Sequence, residues 1–414
     1  MGRLTRAEQQ QRTRARVLAA AREEFAEHGF DAARVDGIAE RAELTRGAVY
    51  SNFPGKRALY FAVLAELADA SGGLLGDSFG SPSGGRFDEA FTGASRTVRD
   101  ALAAFARAWV ARLPLATDDR HDDARLGRDL MPVIVSDELT RRPFAQLVRL
   151  DALLLALALE NLASYGPAAP HVPAAPHGPA ALYGPRGVAA GGRMVRVAQA
   201  ALTMLHGASR LAAAAPGFAE PFDVVTACGR LADLDLDDAW HAPTAVTPAL
   251  PADEAWDPPP ALDAVRGAPA LLTDDGVVAV LGLHRLAAAE EAVRATPPGT
   301  PVTAVLVTGQ ADELAPLARL AVAGLRHCLR QAVPPAAWPR LQVVHDPSGV
   351  LAAAAGVPAV SDGTEVAVRV AGGRIVARAD GLGACHAAAT ATGIDAGRAE
   401  CQVVANDGSA IRPE

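Results

Sequence analysis

The chain has 414 residues, 50% of them hydrophobic and 21% charged, with a formal net charge of −8. That length predicts two or three domains, the composition excludes wholesale disorder, and the acidic balance argues against nucleic-acid binding over the whole surface. The longest apolar run, ALLLALAL between Asp151 and Glu160, is far shorter than the roughly 20 residues of a membrane span, so no membrane partner and a cytoplasmic location are expected.

Residues 1–60 hold eleven Lys/Arg against eight Asp/Glu, so a polyanion contact confined to that end is expected on an otherwise acidic chain. Over 5–28, Val17, Leu18, Ala21 and Phe25 fall on one helical face, and Gly29 stops the helix. Short helices are predicted over 35–42 and 46–53, the second ended by Pro54-Gly55, and a fourth carries Leu59, Tyr60, Val63, Leu64 and Leu67. A Gly/Ser-rich break over 71–86 follows. Helical segments are then expected at 87–113, 123–139, 141–164, 190–214 and 221–234, interrupted by the surface excursion YGPAAPHVPAAPHGPAALYGPRG.

The Pro-rich segment 236–269 reads as a linker. Beyond it the period changes to strands at 276–283, 301–308, 341–345, 365–370 and 374–378, the last two joined by Gly372-Gly373, and a helix closes at 383–392. The order βαβαβαββ implies an α/β domain with a mixed sheet. The expected chain is multidomain: an all-α helix-turn-helix unit at 1–70, an all-α regulatory domain at 87–235, the linker, and an α/β domain at 270–407.

Chemistry concentrates in VDGIAERAELTRGAVYSNFPGK. Two helices meet across a three-residue turn, with Ala39 and Val49 placed at their crossing, which is the spacing of either a DNA-reading helix-turn-helix or a plain αα-hairpin. Three features favour the DNA reader. Thr45 suits the N-cap of the second helix, whose face begins with Arg46, Gly47 and Tyr50 and is polar or small, so that Gly47 lets the helix start approach bases. Tyr50, Ser51 and Asn52 place hydrogen-bonding tips where phosphates would pass. Lys56, the only lysine of the chain, sits at the start of the next helix, where a cation is misplaced by about 0.3 to 1 kcal/mol unless an anion is also present.

With AAREEFAEHGF, IAERA, LTRGAVY and NFPGK in place, residues 7–67 resemble the DNA-binding domain of the TetR/AcrR family of one-component regulators. The resemblance implies an all-helical, homodimeric protein with a C-terminal ligand-binding domain, in most members a repressor released from double-stranded operator DNA by a small molecule. It implies that Thr45, Arg46, Gly47, Tyr50 and Asn52 face DNA, that Lys56 binds phosphate, and that Arg34 is a further phosphate or base contact. Glu43 departs from the family pattern where glycine is usual, and Asn52 where histidine is usual. Residues 87–234 are similar to the family's second domain in pattern, with 198–218 and 221–234 resembling the two helices of its dimer bundle. Trp109, Met131, Asn161, Met194 and His206 could line its pocket, although each reads more readily as ordinary core or surface.

The C-terminal segments LQVVHDPSGVLAAAAGV and EVAVRVAGGRIVARADG resemble the thioredoxin-like fold in its peroxiredoxin form. The resemblance places a reactive cysteine just after the first strand, where this chain reads GLHRLAAAEEA. A catalytically silent module is therefore expected, the alternative being an active thiol-redox domain fused to the DNA reader. Cys228, Cys328, Cys385 and Cys401 show no Cys-x-x-Cys spacing and read as buried, inert thiols, so no cofactor, metal or catalytic residue is expected.

Overall fold

The computed structural model describes residues 5–73, 97–112, 126–165, 192–244 and 246–391. The expected Gly/Ser break from residue 74 onward, the surface excursion, residues 392–407 of the expected C-terminal domain and Cys401 lie outside them. Helix α1 (Arg6–Ala32) opens on a capping box in which Thr5 Oγ1 accepts the Glu8 amide and the Glu8 carboxylate accepts the Thr5 amide. It bends at Gly29, where φ is 72°, one turn before its end. Helices α2 (Val35–Arg41) and α3 (Arg46–Tyr50) follow, and α4 (Lys56–Gly73) leads out of the unit.

The second helical layer comprises α5 (Val98–Val110), α6 (Leu130–Val135), α7 (Glu138–Tyr165), α8 (Val195–Ala214) and α9 (Pro221–Arg230). The helix expected over 123–139 is divided into a 3-10 turn and α6, and it ends where Thr140 donates its hydroxyl back to the carbonyl of Ile134. The middle of α7 is buried almost all round, from Ala152 to Leu159, as its continuous Leu/Ala run requires.

The C-terminal part is built on a six-stranded sheet of order β1-β8-β7-β4-β5-β6. Strands β4 (Gly276–Gly282), β5 (Val302–Val307) and β6 (Leu341–His345) are parallel, and β7 (Glu365–Ala371) runs antiparallel to β4. Gly372 and Gly373, with φ of 57° and 72°, turn β7 into β8 (Arg374–Asp380), the two positive angles that a tight hairpin turn needs. Helices α10 (Ala288–Ala295), α11 (Ala311–Ala332), α12 (Val350–Ala354) and α13 (Ala384–Thr390) complete the α/β order read from the sequence.

The Pro-rich segment is more than a linker. Its residues form β1 (Leu250–Ala255), paired antiparallel with β8, and a small second sheet of β2 (Leu262–Asp263) and β3 (Ala268–Pro269). Proline excluded a central strand, and Pro251 indeed lies in the strand at the sheet's edge. The buried Asp263 carboxylate accepts the amides of Val265 at 3.0 Å and Val343 at 3.2 Å, which fastens the segment to β6.

The α/β part is joined to the helical part by one continuous apolar core in which α11 lies against α4, α5 and α7. Ion pairs surround it. Arg294 is held by both carboxylate oxygens of Glu160 at 2.7 Å, and Arg193 by Glu290 at 2.8 and 2.9 Å. Asn161 donates to the carbonyl of Trp338 at 3.1 Å.

Asp151 lies inside α7 with one carboxylate oxygen lacking any hydrogen-bond partner, and burial pushes its pKa up to about 7. An acid with a raised folded-state pKa stabilises the fold below its unfolded pKa and loses that contribution as pH rises. Asp151→Asn should therefore match the wild type near pH 4 and exceed it by up to roughly 4 kcal/mol above pH 7, checked by denaturant melts across that range.

Candidate nucleic-acid interface

The N-terminal helical unit is organised around Glu24, a carboxylate on the apolar face of α1, seven residues after Val17. Only 4% exposed, it accepts the Arg34 amide at 3.1 Å and Arg41 Nε at 2.9 Å. Burial raises its pKa, but these bonds and the neighbouring charges more than offset that and hold it below the usual range. A Cβ at Gly37 would come within 2.8 Å of Glu24 Oε1, so a larger residue there would make the carboxylate shift. The sequence reading missed Glu24, although its place on an apolar helical stripe is the signal for a buried, partnered charge.

Two arginines of the basic N-terminal end secure the segments flanking α3. Arg14 donates to the carbonyl of Asn52 at 2.9 Å and lies 4.1 Å over the Phe53 ring, and Arg16 donates to the carbonyl of Ala42. Between α2 and α3, Ala39 and Val49 are buried at the crossing as their spacing requires. Glu43 has a φ of 50°, the left-handed region that explains why glycine would suit this position. Its side chain, 88% exposed, pairs with Arg16 at 3.3 Å.

Helix α3 presents Thr45, Arg46, Gly47 and Tyr50 to solvent. Thr45 Oγ1 accepts the Ala48 amide at 3.2 Å, which caps the helix. Arg46 lies 5.5 Å over the Tyr50 ring and 3.4 Å from Asp36; hydrogen bonding to Tyr50, then the Asp36 charge, raises its pKa further. A Cβ at Gly47 would meet nothing closer than Thr45 Oγ1 at 3.9 Å, so packing does not demand glycine there. Asn52 is half-buried and donates to the Ala48 carbonyl at 2.9 Å, while Arg34 is exposed at the N-cap of α2.

Lys56 has a different setting from the one its sequence position suggests. Its ammonium donates to the carbonyls of Phe30, Asp31 and Ala33 at 2.7, 3.1 and 3.2 Å and lies 4.6 Å over the Phe30 ring. A cation at the start of α4 thus serves the carbonyl-rich end of α1, where a positive charge is favourable. This explains the lone lysine without an anion.

Among the pocket candidates, Trp109 and His206 come together with ring centroids 4.9 Å apart, and Phe144 lies 5.9 Å from the same imidazole. Burial lowers the His206 pKa. Asn161 is not with them, since it donates into the α/β part, and Met131 and Met194 are partly buried against the core.

After β4, Arg285 donates through Nε to the buried Glu365 at 2.8 Å, and Glu365 also accepts the Gly383 amide at 2.9 Å. The stretch after β4, where the resemblance implies a thiol, carries Arg285 instead. Cys228, Cys328 and Cys385 are buried; burial pushes Cys228 up to about 12, Cys328 up to about 11 and Cys385 well above its usual value. None of the three is a reactive thiolate at neutral pH.

Residues 17–63 match the family model described as bacterial regulatory proteins, tetR family. The chain is 33% identical over 159 residues to the HTH-type transcriptional repressor Rv1474c of Mycobacterium tuberculosis, covering 35% of this chain and 82% of that relative. The chain belongs to the TetR family. It is also 48% identical over 65 residues to the regulators SrpR and TtgW of Pseudomonas putida, covering 16% of this chain but 30% and 48% of those relatives.

Two substitutions test this TetR-type unit. Lys56→Met should lower its stability by about 2 kcal/mol, because three carbonyls lose a charged donor, and should leave the salt dependence of DNA binding unchanged. Glu43→Gly should raise the melting temperature, relieving about 1 kcal/mol of left-handed backbone cost, and strengthen non-specific DNA binding by removing a negative charge.

Proposed function

We propose that the protein is a homodimeric transcriptional repressor that binds double-stranded operator DNA in the cytoplasm and is released by a small-molecule ligand. The carrying observation is the exposed start of α3, where Arg46, Gly47 and Tyr50 form a small polar surface that the fold does not need for its own packing. Thr45, Arg46, Gly47, Tyr50 and Asn52 are assigned to the major groove and its flanking phosphates, with Arg34 beside them. Lys56 is assigned to positioning: it ties α4 to the end of α1, so the reading helix keeps its angle to the rest of the molecule. The relative that the chain largely spans is named a repressor, which favours repression over activation.

Dimerisation is assigned to α8 and α9. Leu211, Phe218 and Phe222 are 41%, 74% and 79% exposed there, an apolar face that a second copy would cover. A two-fold dimer would then place its reading helices about 34 Å apart, one DNA turn. The ligand is assigned to the Trp109–His206–Phe144 cluster, and its binding would shift the dimer toward spacings that no longer fit two successive grooves.

The α/β part, from residue 250, is read as a thioredoxin-like module without catalysis. Three parallel strands, an antiparallel hairpin and a closing helix support the fold, and the Arg285–Glu365 pair after β4 supports the loss of chemistry.

Recovery of bound genomic DNA with the purified protein supplies the operator. Against it, Arg46→Ala should weaken binding and relax preference at one base position. Gly47→Ala should leave the melting temperature unchanged or raised while reducing operator affinity about tenfold, roughly 1.4 kcal/mol. Unaltered affinity in both variants would remove α3 from the groove.

A further inference from the structure

The α/β part lies on the helix that carries the DNA reader. Among the described residues, the most extensive helix-to-helix contact is between α4 and α11. Helix α4 is buried by two different partners. Tyr60 packs edge-on to Phe25 at 5.3 Å and beside Phe30 at 5.1 Å, both from α1. Arg57 and Ala68 both meet α11: Arg57 binds Glu313, and Ala68 lines a cleft with Ala323 and Arg326. Phe61 and Leu64 lie near Arg57 and Ala68 by helical spacing and are 0% and 6% exposed.

Ion pairs pin the contact at both ends. Arg57, in the first turn of α4, binds Glu313 of α11 and also Asp137 at the start of α7, so one guanidinium ties three elements. Twelve residues further along α4, Asp69 binds Arg319 of α11. The two helices thus meet start to start and later turn to later turn. The reader is fastened to the same α4 through Lys56, whose ammonium holds the end of α1.

From this we infer that the α/β part is an intramolecular clamp on α4 that sets the angle of the DNA-reading unit, with Glu313 and Arg319 as its positioning residues. The inference rests on the DNA-binding reading above but assigns a job to a part that reading leaves silent. It needs no chemistry in the α/β part, only a rigid surface.

Asp69 and Arg319 are 44% and 45% exposed at the rim, so their charges can be exchanged without disturbing the core. In the full chain, Asp69→Arg and Arg319→Asp should each speed amide hydrogen exchange across α1–α4 and change operator affinity by about threefold, the size an exposed pair allows, and the double exchange should restore both. Singles with unchanged exchange in α1–α4 and unchanged affinity, or a double variant that restores neither, would overturn the clamp. A wild-type protein that binds no DNA would instead sink the DNA-binding reading, while the exchange measurement would still decide whether α11 holds α4.

Discussion

Helix α4 is apolar on nearly every side from Ala58 to Ala65, and that constraint organises the molecule. A helix of that kind has to be covered all round. The end of α1 covers one side with Phe25 and Phe30, and α11 of the α/β part covers another. The DNA-reading unit, the helical layer and the sheet domain therefore share one core, with α4 running through it.

Around that core, charged side chains act as fasteners. Glu24 joins α1 to α2, Arg14 and Arg16 join α1 to the α2–α3 region, and Lys56 joins α4 to the end of α1. The basic N-terminal end therefore divides its work: part of its positive charge is consumed by backbone carbonyls inside the unit. What remains exposed on α3 is small and specific, namely Arg46 with Tyr50 beside Gly47.

In the α/β part charged side chains are likewise met by partners inside the fold. At the end of β4 the Arg285–Glu365 pair is satisfied by its own partners and by the Gly383 amide, and the nearby Cys385 is buried deep enough to stay protonated. The surfaces that remain engaged are those turned toward the helical layer, where Glu290, Arg294 and Glu313 meet Arg193, Glu160 and Arg57. A domain whose polar groups point at its neighbour is suited to holding that neighbour.

Local pattern alone determined the helices of the reader, the Thr45 cap, the buried pair Ala39 and Val49, and five strands of the sheet, because caps, periodicity and Val/Ile runs act over a few residues. It also singled out Lys56 and Glu43 as misfits. What each misfit meant was decided by tertiary structure: Lys56 answers carbonyls more than twenty residues earlier in the chain, and Glu43 occupies a left-handed turn. Long-range pairing likewise decided that the Pro-rich segment supplies an edge strand, that Glu24 is buried with partners, and that α11 lies on α4. These contacts join residues far apart in sequence, and no local periodicity carries the information about which distant surface a face will meet.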